Sequence, residues 1–237
     1  MAVTVPLKNL HLLSRACFGI NTELIAKLNT VQPKQLYKTI VQQSSEPPVY
    51  LDKVSNSVKG ILLGIQTEKQ MQDGTPGTEP MNRAARRELT PEQRKYLQNQ
   101  SREDIKTLSV AWMEEMAESK AQLREKMAFF WHGHFACRVV NIYYQQLLLH
   151  DIRKYALGNF GDLLRAVSKS ASMLNFLNNQ QNRKQKPNEN FAREVMELFT
   201  LGRGNYTEKD IKEAARAFTG WSYDFGGEFV FRKNVHD

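Results

Sequence analysis

Two histidines, His132 and His134, are separated by a single residue near the end of the segment 126–135. On a strand two such imidazoles project together, whereas on a helix residues two apart point to nearly opposite sides. One metal ion could therefore bind both only if the helix ends before them, which Gly133 permits. Two interpretations follow: catalytic or metal-ligating histidines, or a His134 that is packed in an apolar face and hydrogen-bonded.

A second segment, residues 187–202 with the sequence PNENFAREVMELFTLG, carries paired carboxylates. Glu194 and Glu197 lie about one helical turn apart, where two carboxylates can ligate a metal or act as an acid–base pair. Arg193 and Glu197 are four residues apart, so we predict an ion pair between them. Glu194 and Glu197 are therefore candidate catalytic residues, and Arg193 is a candidate anion or carboxylate clamp.

Polar side chains lie at the entrance of this helix, and an arginine lies near the end of the next one. At the entrance such groups can bind an anion or cap the helix. In the following segment, residues 206–221, Arg216 could hold a carboxylate such as that of Glu194, and close helix packing is the alternative interpretation. The polar residues at the entrance are Asn188, Glu189 and Asn190.

Composition excludes several classes of protein. The chain has 237 residues and a formal net charge of +8, with 41% hydrophobic and 24% charged residues, which argues against collagen-like, disulfide-scaffold and wholly disordered chains. No stretch of about 18 apolar residues occurs, so we predict no membrane span. No secretory signal is visible, which predicts a cytoplasmic location by default. Cys17 and Cys137 fit no metal-ligand spacing and are expected to be buried free thiols.

The basic residues form two clusters. Acidic residues dilute the first cluster and the second falls in a polar loop, so neither resembles a nucleic-acid-binding module with interleaved aromatic residues. The sequence argues against a nucleic-acid partner and leaves polyanion binding as a weak third function. The clusters are Arg83, Arg86, Arg87, Arg94 and Lys95, and then Arg183, Lys184 and Lys186.

Apolar residues recur at the helical spacing along nearly the whole chain. We predict an all-α fold, a multi-helix orthogonal array with one small C-terminal β-hairpin, in a single domain spanning residues 1–237. Residues 72–80 carry four Gly or Pro residues and are expected to form a flexible loop. The expected helices are residues 7–15, a short helix after Asn21, one from Pro33, 57–71, one capped by Thr90, one started by Ser119, 142–156, 160–169, 173–178, 190–201 and one from Thr207 to Gly220.

Two local patterns are specific enough to be checked against the fold. The helix started by Ser119 is predicted to bury a stripe made of Leu123, Met127, Phe130 and Trp131. Residues 223–231 alternate around Gly226-Gly227, which predicts a hairpin with a two-residue turn.

Taken together, these segments resemble a bacterial family known as domain of unknown function 1800 (DUF1800). The resemblance is carried by HLLSRACFG from His11, LREKMAFFWHGHF from Leu123, ALGNFGDLL from Ala156, MLNFLNN from Met173, residues 187–202, YTE from Tyr206 and ARAFTGW from Ala215. It implies a mostly helical fold without an established activity. The family often has Asp at the position of Asn178 and His at that of Phe199. Its homology normally continues past Asp237, so we expect a C-terminally truncated chain.

The resemblance also implies a partner. Family members are often exported and are often encoded beside a second family that looks like alkaline-phosphatase and sulfatase folds. We therefore expect a helical binding or assembly protein that acts with such a partner. The alternative is a hydrolase in which His132 or His134 converges with Glu189, Arg193, Glu194 and Glu197. The residues specify neither a cofactor nor a metal.

Overall fold

The computed structural model describes residues 4–20, 25–26, 28–59, 90–224 and 226–237. These residues form a mostly helical fold with one small C-terminal hairpin, which confirms the predicted fold class. The α-helices are α1 (Val5–Ala16), α2 (Pro33–Gln43), α3 (Pro91–Glu118), α4 (Gln122–Phe135), α5 (Ile142–Tyr155), α6 (Phe160–Lys169), α7 (Ala171–Phe176), α8 (Glu189–Glu194) and α9 (Glu208–Ala217). The strands are β1 (Trp221–Tyr223) and β2 (Phe229–Phe231), α8 continues as a π-helix over Val195–Thr200, and single 3-10 turns span Asn179–Gln181 and Lys233–Val235.

Two predicted capping boxes fix the starts of α3 and α9. The Thr90 hydroxyl accepts the Gln93 N–H at 3.1 Å, and the Gln93 side chain accepts the Thr90 N–H at 3.0 Å. Thr207 and Asp210 exchange the same pair of hydrogen bonds. Each box satisfies backbone N–H groups that have no partner within the helix, so both predicted helix starts are confirmed.

The predicted start of α4 at Ser119 is wrong by two residues, because Ser119 closes the preceding helix and Ala121 precedes the first residue of α4. Its N–H donates to the Glu115 carbonyl, and its hydroxyl accepts the Ala121 N–H at 3.1 Å. The Gln122 amide donates back to the carbonyls of Met116 and Ser119. These bonds make a tight connection between α3 and α4.

The main core surrounds α5, which contacts α3, α4, α6 and α7. Leu108 and Trp112 of α3 are buried in this core, as their helical spacing predicts. A second cluster lies between α1 and α2, where Leu13, Cys17 and Ile40 are buried. Cys17 is a buried free thiol as expected, whereas the free thiol of Cys137 is half-buried.

The hairpin at the C-terminal end is antiparallel, with Trp221 paired to Phe231 and Tyr223 to Phe229. The prediction of a two-residue turn is wrong. The Asp224 N–H bonds to the Glu228 carbonyl, and Gly227, in the left-handed region at φ 81°, donates its N–H to the Asp224 carbonyl. The turn between Asp224 and Glu228 therefore has three residues and not two. Gly227 ends it in a backbone conformation that L side chains rarely adopt.

Several predictions fall outside the described residues. They concern most of the short helix after Asn21, most of the helix 57–71, the flexible loop 72–80 and the basic residues Arg83, Arg86 and Arg87. Within the part of the chain that the structure describes, no helix is both long and apolar enough to cross a membrane.

Replacing Gly220 with alanine should destabilise the junction between α9 and the hairpin. Gly220 has a φ of 79°, and a Cβ there would lie 2.7 Å from the carbonyl oxygen of Arg232. We expect Gly220→Ala to lower the free energy of unfolding by about 2 kcal/mol or more in a urea titration. Gly19→Ala is the matched control, since no atom lies within 4 Å of its Cβ position. Equal urea midpoints for the two variants would contradict this account.

Candidate functional site

The buried face of α4 carries charge that the sequence analysis did not predict. Three residues of the predicted stripe, Leu123, Met127 and Trp131, are partly buried against the cores. Arg124 and Glu125 are buried, while Phe130, which the sequence placed in the stripe, is 56% exposed. Glu125 shares helical spacing with three buried residues, and this spacing is a signal that the sequence contained. These residues are Ala121, Ala128 and Phe135. The prediction is wrong at Phe130, because it assumed that the aromatic side chains of α4 would define its core face.

The buried carboxylate of Glu125 is paired with an equally buried arginine on α5. Arg153 Nε lies 2.9 Å from Glu125 Oε2, and Arg153 Nη2 donates to Glu125 at 3.0 Å and to Glu115 at 3.0 Å. Arg153 Nη1 donates to the Val49 carbonyl at 2.6 Å, and Trp112 Nε1 donates to Glu125 at 3.0 Å. Every guanidinium nitrogen therefore has an acceptor, as a buried ion pair requires.

His132 lies on the same side of α4 as Glu125 and packs against Trp112, with ring centroids 5.2 Å apart. Burial lowers the pKa of His132, because an imidazolium loses its hydration in this apolar contact. The helix continues through His132 to Phe135, so Gly133 does not end it before the two histidines. The two imidazoles consequently lie on different sides of α4, and the arrangement does not give them a shared metal.

His134 faces the C-terminal segment instead. Its Nε2 lies 3.2 Å from the carbonyl oxygen of Phe199, and its ring is within 6.4 Å of the rings of Phe130, Trp131, Phe135 and Phe199. Phe199 belongs to the π-helix, in which Leu201 N–H bonds to the Met196 carbonyl at 2.8 Å. His134 thus joins α4 to the segment in which the sequence placed the catalytic carboxylates.

The carboxylates near the start of α8 are engaged in surface ion pairs. Arg193 makes two parallel hydrogen bonds of 2.8 Å to Glu208 on α9 and a third of 3.2 Å to Glu189. The bidentate bond raises the pKa of Arg193 and lowers that of Glu208. The predicted pairing of Arg193 with Glu197 is wrong, because the carboxylate of the neighbouring helix offers the better bidentate geometry.

Glu197 has its own partners. It accepts hydrogen bonds from Arg203 at 2.5 Å and from Tyr206 at 2.9 Å, and these bonds lower its pKa. Glu194 is half-buried and makes no hydrogen bond or ion pair within the described ranges. Arg216 does not hold Glu194 as predicted, since it bonds to Asp237 at 2.5 Å and to Glu213 at 2.7 Å.

The amides at the entrance of α8 act in capping and tethering. The Asn188 side chain accepts the Asn190 N–H at 3.1 Å, and Asn188 Nδ2 donates to the Asn178 carbonyl. Asn190 Nδ2 donates to the Leu177 carbonyl at 3.2 Å. Of the two interpretations, this geometry matches helix capping.

The comparisons with known proteins identify the family. A family model described as "Protein of unknown function (DUF1800)" matches residues 11–237, nearly the whole chain. The chain belongs to the DUF1800 family. No curated protein and no solved structure gives a match. In this DUF1800 protein, Phe199 occupies a position where the sequence resemblance implies a histidine in many members, and its ring lies 6.1 Å from that of His134.

The candidate residues of this DUF1800 protein therefore form separate groups. His132 lies with Trp112, His134 lies with Phe199, and Glu197 lies with Arg203 and Tyr206. Among the described residues no three His, Cys, Asp or Glu side chains are grouped closely enough to hold a metal ion. The contacts of His134 with Phe199 join α4 to the π-helix, and the ion pair of Arg193 with Glu208 joins α8 to α9. Together these contacts hold a group of aromatic rings in position.

Asp151 on α5 predicts a pH-dependent stability that the sequence did not suggest. Burial raises its pKa from 3.8 to about 6, with Glu228 adding to the shift and Lys154 opposing it. A raised carboxyl pKa means that stability is full below about pH 4 and falls as the pH rises through about 6. Asp151→Asn should therefore raise the free energy of unfolding at pH 8 by roughly 1–3 kcal/mol.

The same substitution should give no stabilisation at pH 4, where the carboxyl of Asp151 is already protonated. Urea titrations at the two pH values measure the difference. Asp162→Asn is the control, because Asp162 is exposed and paired with Arg165. A gain that is equal at pH 4 and pH 8 would contradict the assignment to Asp151 ionisation.

Proposed function

We propose that this DUF1800 protein is a helical binding or assembly protein that acts with a partner protein. The observation that carries the proposal is a continuous aromatic surface on α4, α6 and the π-helix. It comprises Phe130, Trp131, His134, Phe160 and Phe199, whose rings follow one another at centroid distances of 4.9 to 6.4 Å.

This aromatic surface is partly open to solvent. Phe130 is 56% exposed and Phe160 is 38% exposed, whereas Phe199, at 7% exposed, forms the buried base of the surface. Leu198, which precedes Phe199 in the π-helix, is 57% exposed. Contiguous exposed apolar groups are typical of protein interaction sites, and buried aromatic anchors supply much of the binding energy at such sites. The hydrogen bond between His134 and the Phe199 carbonyl holds the two sides of the surface together.

The proposed partner is a protein of the alkaline-phosphatase and sulfatase-like class. The support is the sequence resemblance, which implies that members of the family are often encoded beside such proteins. Hydrolysis by the chain itself is the competing function, with Glu194 as the candidate base because its carboxylate has no partner among the described residues. Polyanion binding is the third function, and it would require affinity that falls steeply with salt.

Isothermal titration calorimetry tests the proposal. An alkaline-phosphatase-like protein, of the class encoded beside family members, is titrated into a solution of this DUF1800 protein. We expect Phe130→Asp to weaken binding at least about tenfold, because a charge would be desolvated at the contact. Phe176→Asp is the matched control, since Phe176 is exposed but outside the aromatic surface. Absence of binding, together with substrate turnover that Glu194→Gln abolishes, would replace the proposal with the hydrolase.

A further inference from the structure

The C-terminal hairpin holds a buried arginine without a counter-ion. Arg232 directly follows β2 and is 9% exposed. Its Nη2 donates to the Gln180 carbonyl, and its Nε is buried without an acceptor. No carboxylate pairs with Arg232 among the described residues, in contrast to the fully bonded Arg153. An unpaired buried charge is costly, so an anion at this position would be strongly favoured.

The backbone brings a second set of cations to Arg232. The Arg232 N–H bonds to the Gly220 carbonyl at 2.8 Å, and the Gly220 N–H bonds to the Asn182 carbonyl at 3.1 Å. The next residues of that loop, Arg183 and Lys184, therefore run beside the end of the hairpin. The Lys184 N–H bonds to the Val235 carbonyl at 2.9 Å, which fixes the loop there.

The loop is closed on itself, so the backbones of its basic residues are held close together. Lys186 N–H bonds to the Arg183 carbonyl at 2.9 Å in an isolated bridge. Burial and the positive charge of Arg183 both lower the pKa of Arg232, which is consistent with the proximity of the two side chains. Arg183, Lys184 and Lys186 are exposed and have no ion-pair partner in the ranges that the structure describes.

One carboxylate lies in the same region but is already bonded. Lys184 contributes to the lowered pKa of Asp237, whose side chain accepts a hydrogen bond of 2.5 Å from Arg216. The buried Oε1 of Gln180 is a further atom without a partner, and a bound water could satisfy it. Asp237 therefore offsets part of the charge of Lys184, while Arg232 and Arg183 have no carboxylate partner in the part of the chain that the structure describes.

We propose that Arg232, Arg183 and Lys184 form a binding site for a small oxyanion of the phosphate or sulfate class. Arg232 Nη1, which makes no hydrogen bond to a described residue, is the fixed donor, because the Gln180 carbonyl and the hairpin hold its guanidinium in place. Arg183 and Lys184 supply exposed cations from the loop. Planar guanidinium groups suit tetrahedral oxyanions through charge-assisted hydrogen bonds.

Titration of the full chain with inorganic phosphate at constant ionic strength tests the site. The Nε–H signal of Arg232 in a proton–nitrogen correlation spectrum reports on the guanidinium, and Arg232→Lys identifies that signal by removing it. We expect a saturable shift of the signal. Arg183→Gln should raise the phosphate dissociation constant about fivefold. Arg15→Gln, an exposed arginine on α1 with the same loss of charge, should leave it unchanged.

Sulfate titrated in the same way separates two forms of the site. Saturable binding of both ions supports a general site for divalent oxyanions, and binding of phosphate alone supports a phosphate-specific one. The proposal is overturned if phosphate gives no saturable shift, which would indicate a water-filled pocket. It is equally overturned if Arg183→Gln and Arg15→Gln bind phosphate as tightly as the unmodified chain, which would indicate an adventitious ion only.

Discussion

Glu125→Gln should lower the free energy of unfolding by about 3 kcal/mol or more, the largest effect that we expect from a single polar substitution. The substitution removes the negative charge that faces Arg153, and both side chains are fully buried. Arg153 would then retain only the half-exposed Glu115 as an anionic partner. Thermal unfolding should show a midpoint lower by roughly 6–12 °C.

Glu103→Gln provides the comparison for that result. Glu103 is exposed and pairs with Lys106 at 2.8 Å, so its loss should cost less than about 0.5 kcal/mol. If Glu125→Gln unfolded at the same temperature as Glu103→Gln, the buried pair of Glu125 and Arg153 would not stabilise the fold.

Phe191→Ala should lower the free energy of unfolding by about 3–5 kcal/mol, because it leaves a cavity within the segment 187–202. Phe191 is fully buried on α8, and its ring lies 5.0 Å from that of Phe218 and 6.3 Å from that of Trp221. These contacts join α8 to the end of α9 and to β1. The free energy of unfolding from urea titration measures the loss.

The exposed residue Phe176 supplies the control for the cavity. Phe176→Ala removes the same side chain from a position that is 40% exposed, and we expect a loss below about 1 kcal/mol. Equal losses for the two alanine variants would show that the segment 187–202 is not held by its buried aromatic residue.

The starts of α3 and α9 were predictable because local groups determine them. Thr90 and Thr207 carry capping boxes that need only residues three positions apart, and both appear in the fold. Arg153 lies on the same helix face as the buried residues Ile142, Gln146 and Leu149. The spacing of these residues therefore predicts that Arg153 is buried as well. The partner of Arg153 was not predictable, because Glu125 lies 28 residues away on a helix whose core face was misassigned.

The side-chain pairs of the candidate site were less predictable for the same reason. Spacing along one helix suggested Arg193 with Glu197, but Glu208 on the next helix pairs with Arg193 instead. The sequence does not contain the distance between helices that decides such competition. The catalytic roles of His132, His134, Glu194 and Glu197, and a binding role for Arg216, stay predictions.

Hydrogen–deuterium exchange of the chain with and without the alkaline-phosphatase-like partner tests the central claim most directly. The claim is that the aromatic surface on α4, α6 and the π-helix is where this DUF1800 protein meets its partner. Complex formation should slow amide exchange in the peptides that cover residues 126–135 and 195–201. Unchanged exchange in both peptides, with or without protection elsewhere on the chain, would contradict it.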